Sequence, residues 1–290
     1  MDNLKGMGWM TLAMLAFALT DMVIVILSRE MPVGQILFLF GLGGALVFGF
    51  IARLYGHVWL SPILLTRPVM LRNLAEAFAT ASFVAALALI PLSTLSAMIQ
   101  ANPLLVTLGA ALFLGEKVGW RRWVAISIGL LGVLVIIRPG TAAFDPSILL
   151  AVLAVIGLSL RDLATRPVPR SVPTTLLASY SFAAVALTGV GIMAVTGTFG
   201  LPRTELWFVT AGAVAFGLVA YFSITAAMRV GDISAVTPFR YSRLVFALII
   251  AIVVFDENPD AATLIGAGIV IATGLYTFWR EAQIRRANAA

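Results

Sequence analysis

Apolar residues come in ten runs, each near the ~20 residues that an α-helix needs to cross a bilayer. They cover roughly 7–27, 33–54, 68–90, 93–114, 120–138, 146–165, 174–197, 204–228, 234–254 and 261–280. Turn-forming residues separate them: Pro32, Ser61-Pro62, Pro91, Gly115 with Gly119, Pro139-Gly140, Pro167 with Pro169 and Pro173, Pro202, Gly231, and Asn258-Pro259. The connections are too short for a separate soluble domain. The pattern predicts an all-α integral membrane protein of ten transmembrane helices.

Composition agrees. The chain has 290 residues, 61% hydrophobic and 11% charged, with a mean hydropathy of +1.05. A soluble domain carries about 25% charged residues. The net charge of +6 does not imply nucleic acid, because the positive-inside rule accounts for it. With the N-terminus inside, twelve Lys and Arg lie at cytoplasmic ends: Lys5, Arg53, Arg67, Lys117, Arg121, Arg122, Arg166, Arg170, Arg229, Arg280, Arg285 and Arg286. Three lie at outer ends: Arg29, Arg138 and Arg203. Both termini are therefore expected in the cytoplasm of a bacterial inner-membrane protein. The first run has the length of a span and shows no small-residue cleavage site, so it reads as a retained helix. There is no cysteine and one histidine, His57, in a loop. This excludes thiolate chemistry and HExxH metallohydrolysis; no metal or bound cofactor is implied.

The chain also repeats. At an offset of 141, Asp21 meets Asp162, Arg29 meets Arg170, Pro32 meets Pro173, Ser82 meets Ser223, Ser93 meets Ser234 and Glu116 meets Glu257. The expected division is residues 1–141 and 142–290, five helices each. Five is odd, so the second repeat enters the membrane upside down. Inverted repeats are a common construction of secondary transporters, with the substrate site near the midplane at the repeat interface.

Two stretches carry a resemblance: "NPLLVTLGAALFLGEKVGWRRW" (Asn102–Trp123) and "SRLVFALIIAIVVFDENPD" (Ser242–Asp260). Both are similar to the proline, apolar run and "GE" turn of EamA-type transporters in the drug/metabolite transporter superfamily. The second departs from it: Leu244 stands where Pro103 does, and Pro238 lies six residues earlier, which displaces the expected kink. The resemblance covers the whole length. It implies movement of small solutes such as amino acids, drugs, nucleotides or vitamins, often outwards, with import of S-adenosylmethionine or riboflavin by some members.

Seven charges fall inside the runs: Asp21, Arg72, Glu76, Arg161, Asp162, Arg240 and Arg243. Each costs at least ~2.5 kcal/mol at mid-bilayer and so is expected to face the bundle interior or a wet cavity, paired. Arg72 and Glu76, at i and i+4, can meet on one face. Arg161 and Asp162 are adjacent, diverge by about 100° and are expected to need other partners. Arg240 and Arg243 differ by about 60° around the ninth helix, where Pro238 should loosen it. One can pair with Glu76 or Asp21, and the other can hold a substrate carboxylate or phosphate. The alternative is that both complete structural pairs or snorkel. Asp21 can carry a proton or bond a neighbouring helix. Tyr241 flanks the arginines, and Phe17 and Phe83 are cavity candidates. The candidate substrate or gating residues are thus Arg240, Arg243, Tyr241, Asp21, Glu76, Arg72, Phe17 and Phe83.

The expected function is alternating-access transport of small metabolites, with a small-molecule substrate and the lipid bilayer as partners and no nucleic acid. Export of amino acids or similar zwitterionic or anionic metabolites comes first, with proton coupling open. Uptake of riboflavin or S-adenosylmethionine is the alternative. An intramembrane enzyme or a helical scaffold is the reading from another class, and the absence of catalytic motifs weighs against an enzyme. Homodimerisation is left open.

Overall fold

The computed structural model describes residues 2–289 except Leu60, Lys117, Ala143, Arg170, Leu201, Gly231 and Asp232. The expectations that fall on Lys117, Arg170 and Gly231, and on the side chains of Arg229, Ser234, Arg285 and Arg286, lie outside the described residues.

The elements are α1 (Asp2–Ser28), α2 (Val33–Leu54), a 3-10 turn (Pro62–Leu65), α3 (Arg67–Leu89), α4 (Leu92–Ile99), α5 (Asn102–Phe113) and α6 (Trp120–Ile137). Then come α7 (Ile148–Thr165), α8 (Thr174–Thr196), α9 (Thr204–Val230), α10 (Ile233–Val236), a 3-10 turn (Thr237–Tyr241), α11 (Ser242–Phe255) and α12 (Ala261–Ala289). Among the described residues, nine segments are long and apolar enough to cross a membrane. The tenth expected span, α3, has the length at 23 residues but carries Arg72, Asn73 and Glu76 in its first half.

Two spans are discontinuous. The fourth breaks at Gln100 and Ala101, and the ninth runs α10, 3-10 turn, α11. Both breaks precede or contain a proline, Pro103 and Pro238, which withholds an amide from the helical ladder. They lie at equivalent points of the repeat, since Gln100 plus the offset of 141 is Tyr241. The repeat also governs the "GE" turns. Glu116 N donates to Ala110 O (3.2 Å), and Glu257 N to Ala251 O (2.9 Å), at the same offset. Gly115 takes the left-handed backbone there (φ 67°), and Asp256 adopts it in the second copy (φ 52°).

The chain divides into two compact units that do not follow the sequence halves. The first is Met1–Met22, Ile90–Ile148 and Phe216–Ala290, and the second is Val23–Leu89 with Leu149–Ala215. Each draws helices from both repeats. In the first, α6 packs on α12 and α4 on α11. A Cβ on Gly132 would lie 3.0 Å from Gly266 O, and one on Gly266 2.5 Å from Gly132 O, so two bare backbones meet there. The Glu257 carboxylate accepts from Leu92 N (2.7 Å), Ser93 N (3.0 Å) and Ser93 Oγ (2.6 Å), satisfying amides at the start of α4. In the second unit α8 packs on α2 and α3. Gly41 allows that approach: a Cβ there would sit 2.5 Å from Ala186 N. In both units the closest partners include repeat mates: spans two and seven, four and nine, five and ten.

Candidate substrate site

The first unit holds an ion pair at the break in the ninth span. Arg243 lies in the first turn of α11, and Asp21 comes from α1. The guanidinium grips both carboxylate oxygens: Nη2 to Oδ2 at 2.7 Å, Nη2 to Oδ1 at 3.0 Å and Nε to Oδ2 at 3.2 Å. The side chains are 4% (Asp21) and 19% (Arg243) exposed. The Phe17 ring, one turn before Asp21, lies 5.2 Å from the guanidinium carbon, in cation–π range. A cation at a helix N-terminus adds to the positive end of the helix dipole, so this corner calls for an anion. Asp21 supplies it.

The break itself is bound across the repeat. Gln100 Nε2 donates to the carbonyl of Tyr241 (3.1 Å). The Tyr241 ring packs near Phe278 at 6.4 Å and against Gly274, where a Cβ would fall 1.7 Å from the tyrosine oxygen. Its buried hydroxyl finds no hydrogen-bond partner among the described residues. Tyr241 thus meets Gln100 through its backbone carbonyl. Arg240 lies half-buried in the 3-10 turn, so the α-helical angle expected between it and Arg243 does not apply.

The second unit holds the other charges. Arg161 Nη1 pairs with Glu76 (3.2 Å), and its Nη2 with Asp162 (2.7 Å). Adjacent residues on a helix were expected to diverge; the arginine is long enough to fold back onto its neighbour. Thr80 Oγ1 also donates to Glu76 (3.4 Å). Arg72 reaches α7 and α8, donating to Thr165 Oγ1 (3.1 Å), Leu177 O (3.4 Å) and Ser181 Oγ. Ser181 in turn donates to Asn73 (3.0 Å). Phe83 is half-buried on α3.

Of the eight candidates, the structure brings Asp21, Arg243 and Phe17 together and places Arg240 and Tyr241 on the adjoining turn. Arg72, Glu76 and Phe83 belong to the other unit. Sequence reasoning missed Gln100 and Asn73. The signal for Gln100 was available: it is a mid-span amide one repeat offset from Tyr241. Among the described residues no cluster of His, Cys, Asp or Glu could hold a metal ion.

A family model described as the EamA-like transporter family matches residues 4–138 and again 145–279. The chain is 28% identical to an S-adenosylmethionine uptake transporter of Rickettsia conorii, over 96% of this chain and 94% of that one. It is 28% identical to a riboflavin transporter of Rhizobium johnstonii (98% and 94% covered) and 26% identical to a pseudopaline exporter of Pseudomonas aeruginosa (93% and 95%). A crystal structure shares the fold at a TM-score of 0.58 and 20% identity, covering 92% of this chain and 97% of the other. The chain belongs to the EamA-like transporter family and is a multi-pass membrane transporter of small metabolites.

Proposed function

We propose that Asp21 and Arg243 form the recognition site for the zwitterionic α-amino-acid group of a metabolite, S-adenosylmethionine being the first to test. The buried bidentate pair carries this reading. A closed pair presents no net charge, yet opened it offers a guanidinium for a carboxylate and a carboxylate for an ammonium. A substrate carrying both groups exchanges one ion pair for two, so opening does not strand a charge in the membrane. The position supports it as well, because discontinuous helices carry substrate sites in transporters with inverted repeats. S-adenosylmethionine has the required ammonium and carboxylate, with a sulfonium besides that the pair does not neutralise, whereas the flavin ring system has neither an ammonium nor a carboxylate.

In this reading both termini face the cytoplasm of a bacterial inner membrane, and direction follows the uptake named for the Rickettsia relative. The test is uptake of radiolabelled S-adenosylmethionine by proteoliposomes. Arg243→Lys replaces the fork with a point charge and should slow uptake on the order of tenfold at unchanged yield. Uptake at the wild-type rate by that variant overturns bidentate recognition.

A second reading, export, rests on the similarity to the pseudopaline exporter. Counterflow separates the two: efflux from preloaded vesicles that outruns uptake under the same proton gradient favours export.

A further inference from the structure

The first unit carries a groove apart from the Asp21–Arg243 pair. It lies between the start of α6 and the middle of α12, has a volume of about 400 Å³, and is lined by Trp120, Arg121, Val124, Ile128, Ala272 and Tyr276 among others. Arg121 is the charged residue of that lining. Its guanidinium carbon stacks 5.4 Å over the Trp120 ring, which holds the cation at the groove. Arg122 follows it, and Arg280 lies one turn beyond Tyr276. Neither α6 nor α12 as far as Arg280 has an acidic residue; Glu116 stands in the turn before α6. Deeper in, the lining is aliphatic, with Ala272 small and exposed. Thr273 adds no polarity, because its hydroxyl bonds Ile269 O (2.8 Å) and Val270 O (3.0 Å). The charge bias of the spans assigns this end to the cytoplasmic leaflet.

We propose that this groove binds one anionic phospholipid, its phosphate on Arg121 and an acyl chain along Val124, Ile128 and Ala272. Charge complementarity selects an anion, the aliphatic floor selects a chain, and the membrane supplies both in one molecule. Trp and Tyr at the mouth suit the headgroup level.

The test is native mass spectrometry of the full chain, delipidated in detergent and given dioleoylphosphatidylglycerol or dioleoylphosphatidylcholine. One phosphatidylglycerol per chain should be retained about fivefold over phosphatidylcholine, the weight of one cation near an anionic headgroup. Arg121→Gln should abolish that preference. Ala272→Leu, at an exposed position, should reduce retention of both lipids while the helical circular dichroism is unchanged. Equal retention of the two lipids, or a preference that survives Arg121→Gln, overturns the proposal. So does displacement by millimolar glycerol phosphate, which would mark a soluble-phosphate site. Loss of a dimer on Ala272→Leu would mark an interface between copies and overturn it too.

Discussion

Neutralising the Asp21–Arg243 pair one charge at a time, and then both together, separates a recognition site from a structural clasp. Arg243→Gln leaves Asp21, whose side chain is 4% exposed, without its guanidinium; Asp21→Asn leaves Arg243 without its carboxylate. Breaking a buried ion pair from one side costs about 3–5 kcal/mol, mostly for the stranded charge. At roughly 2–4 °C per kcal/mol for a chain of this size, each single variant should lose on the order of 10 °C. The double variant strands nothing, since two amides replace two ions and can bond each other. It should recover most of the loss, leaving a coupling energy of about 3 kcal/mol in the cycle. Uptake should behave differently. All three variants lose the means to exchange partners with a zwitterion, so the double variant should be stable and inactive. The measurements are thermal unfolding in detergent and initial uptake rates in proteoliposomes. A stable double variant that transports at the wild-type rate would refute recognition at this pair. Single variants as stable as wild type would refute the closed, buried pair.

Four further outcomes follow from named contacts. Tyr241→Phe removes a buried hydroxyl that has no hydrogen-bond partner among the described residues, so stability should hold within about 1 kcal/mol or rise; a fall in transport would show that the hydroxyl gains a partner in another state. Gly274→Ala should cost about 1–3 kcal/mol by overpacking against Tyr241, and adding Tyr241→Phe should relieve part of it in thermal unfolding. Glu257→Ala should cost about 2 kcal/mol or more, because two amides at the start of α4 lose a charged acceptor; Glu257→Gln should retain part of it. The hydrogen bond from Arg138 holds the Asp260 carboxyl below its ordinary value, aided by Thr263 N. A lowered folded-state value stabilises above the ordinary carboxylate pKa of about 4 and is lost as pH falls through the lowered one. Asp260→Asn should therefore flatten the acid limb of a stability–pH profile, to a degree limited by the exposure of the pair.

The spans were legible because crossing a bilayer imposes a length and an apolar content that need no partner to read. The repeat was legible because one offset aligns Asp, Pro and Glu. Pairing was not. Glu76 is engaged by Arg161 from α7, a contact made by packing that spacing within α3 cannot see. Arg161 and Asp162 point apart by helix geometry and meet because a guanidinium on a long stem can fold back. The slot that the bare backbone at Gly274 gives the Tyr241 ring was not legible either. A single glycine's packing leaves no periodic trace.

The repeat also explains why the chemistry collects where it does. A lone helix break would leave backbone carbonyls unsatisfied in an apolar setting, at a cost that grows with burial. Here there are two breaks at equivalent positions, on helices that pack together, and the amide of Gln100 at one satisfies the carbonyl of Tyr241 at the other. Duplication thus supplies the break in the ninth span with a neighbour able to bond it. The interrupted segment then ends in a helix N-terminus carrying Arg243, which demands an anion, and Asp21 from α1 meets that demand. The other aspartate of the repeat, Asp162, also faces an arginine, but one on its own helix. Asp21 couples its carboxylate to the start of α11 at the break, whereas Asp162 pairs with Arg161 within α7. That asymmetry places the partner-exchanging pair at Asp21 in our reading, and it predicts that Asp21→Asn impairs transport more than Asp162→Asn when both are compared at equal yield in the same vesicles.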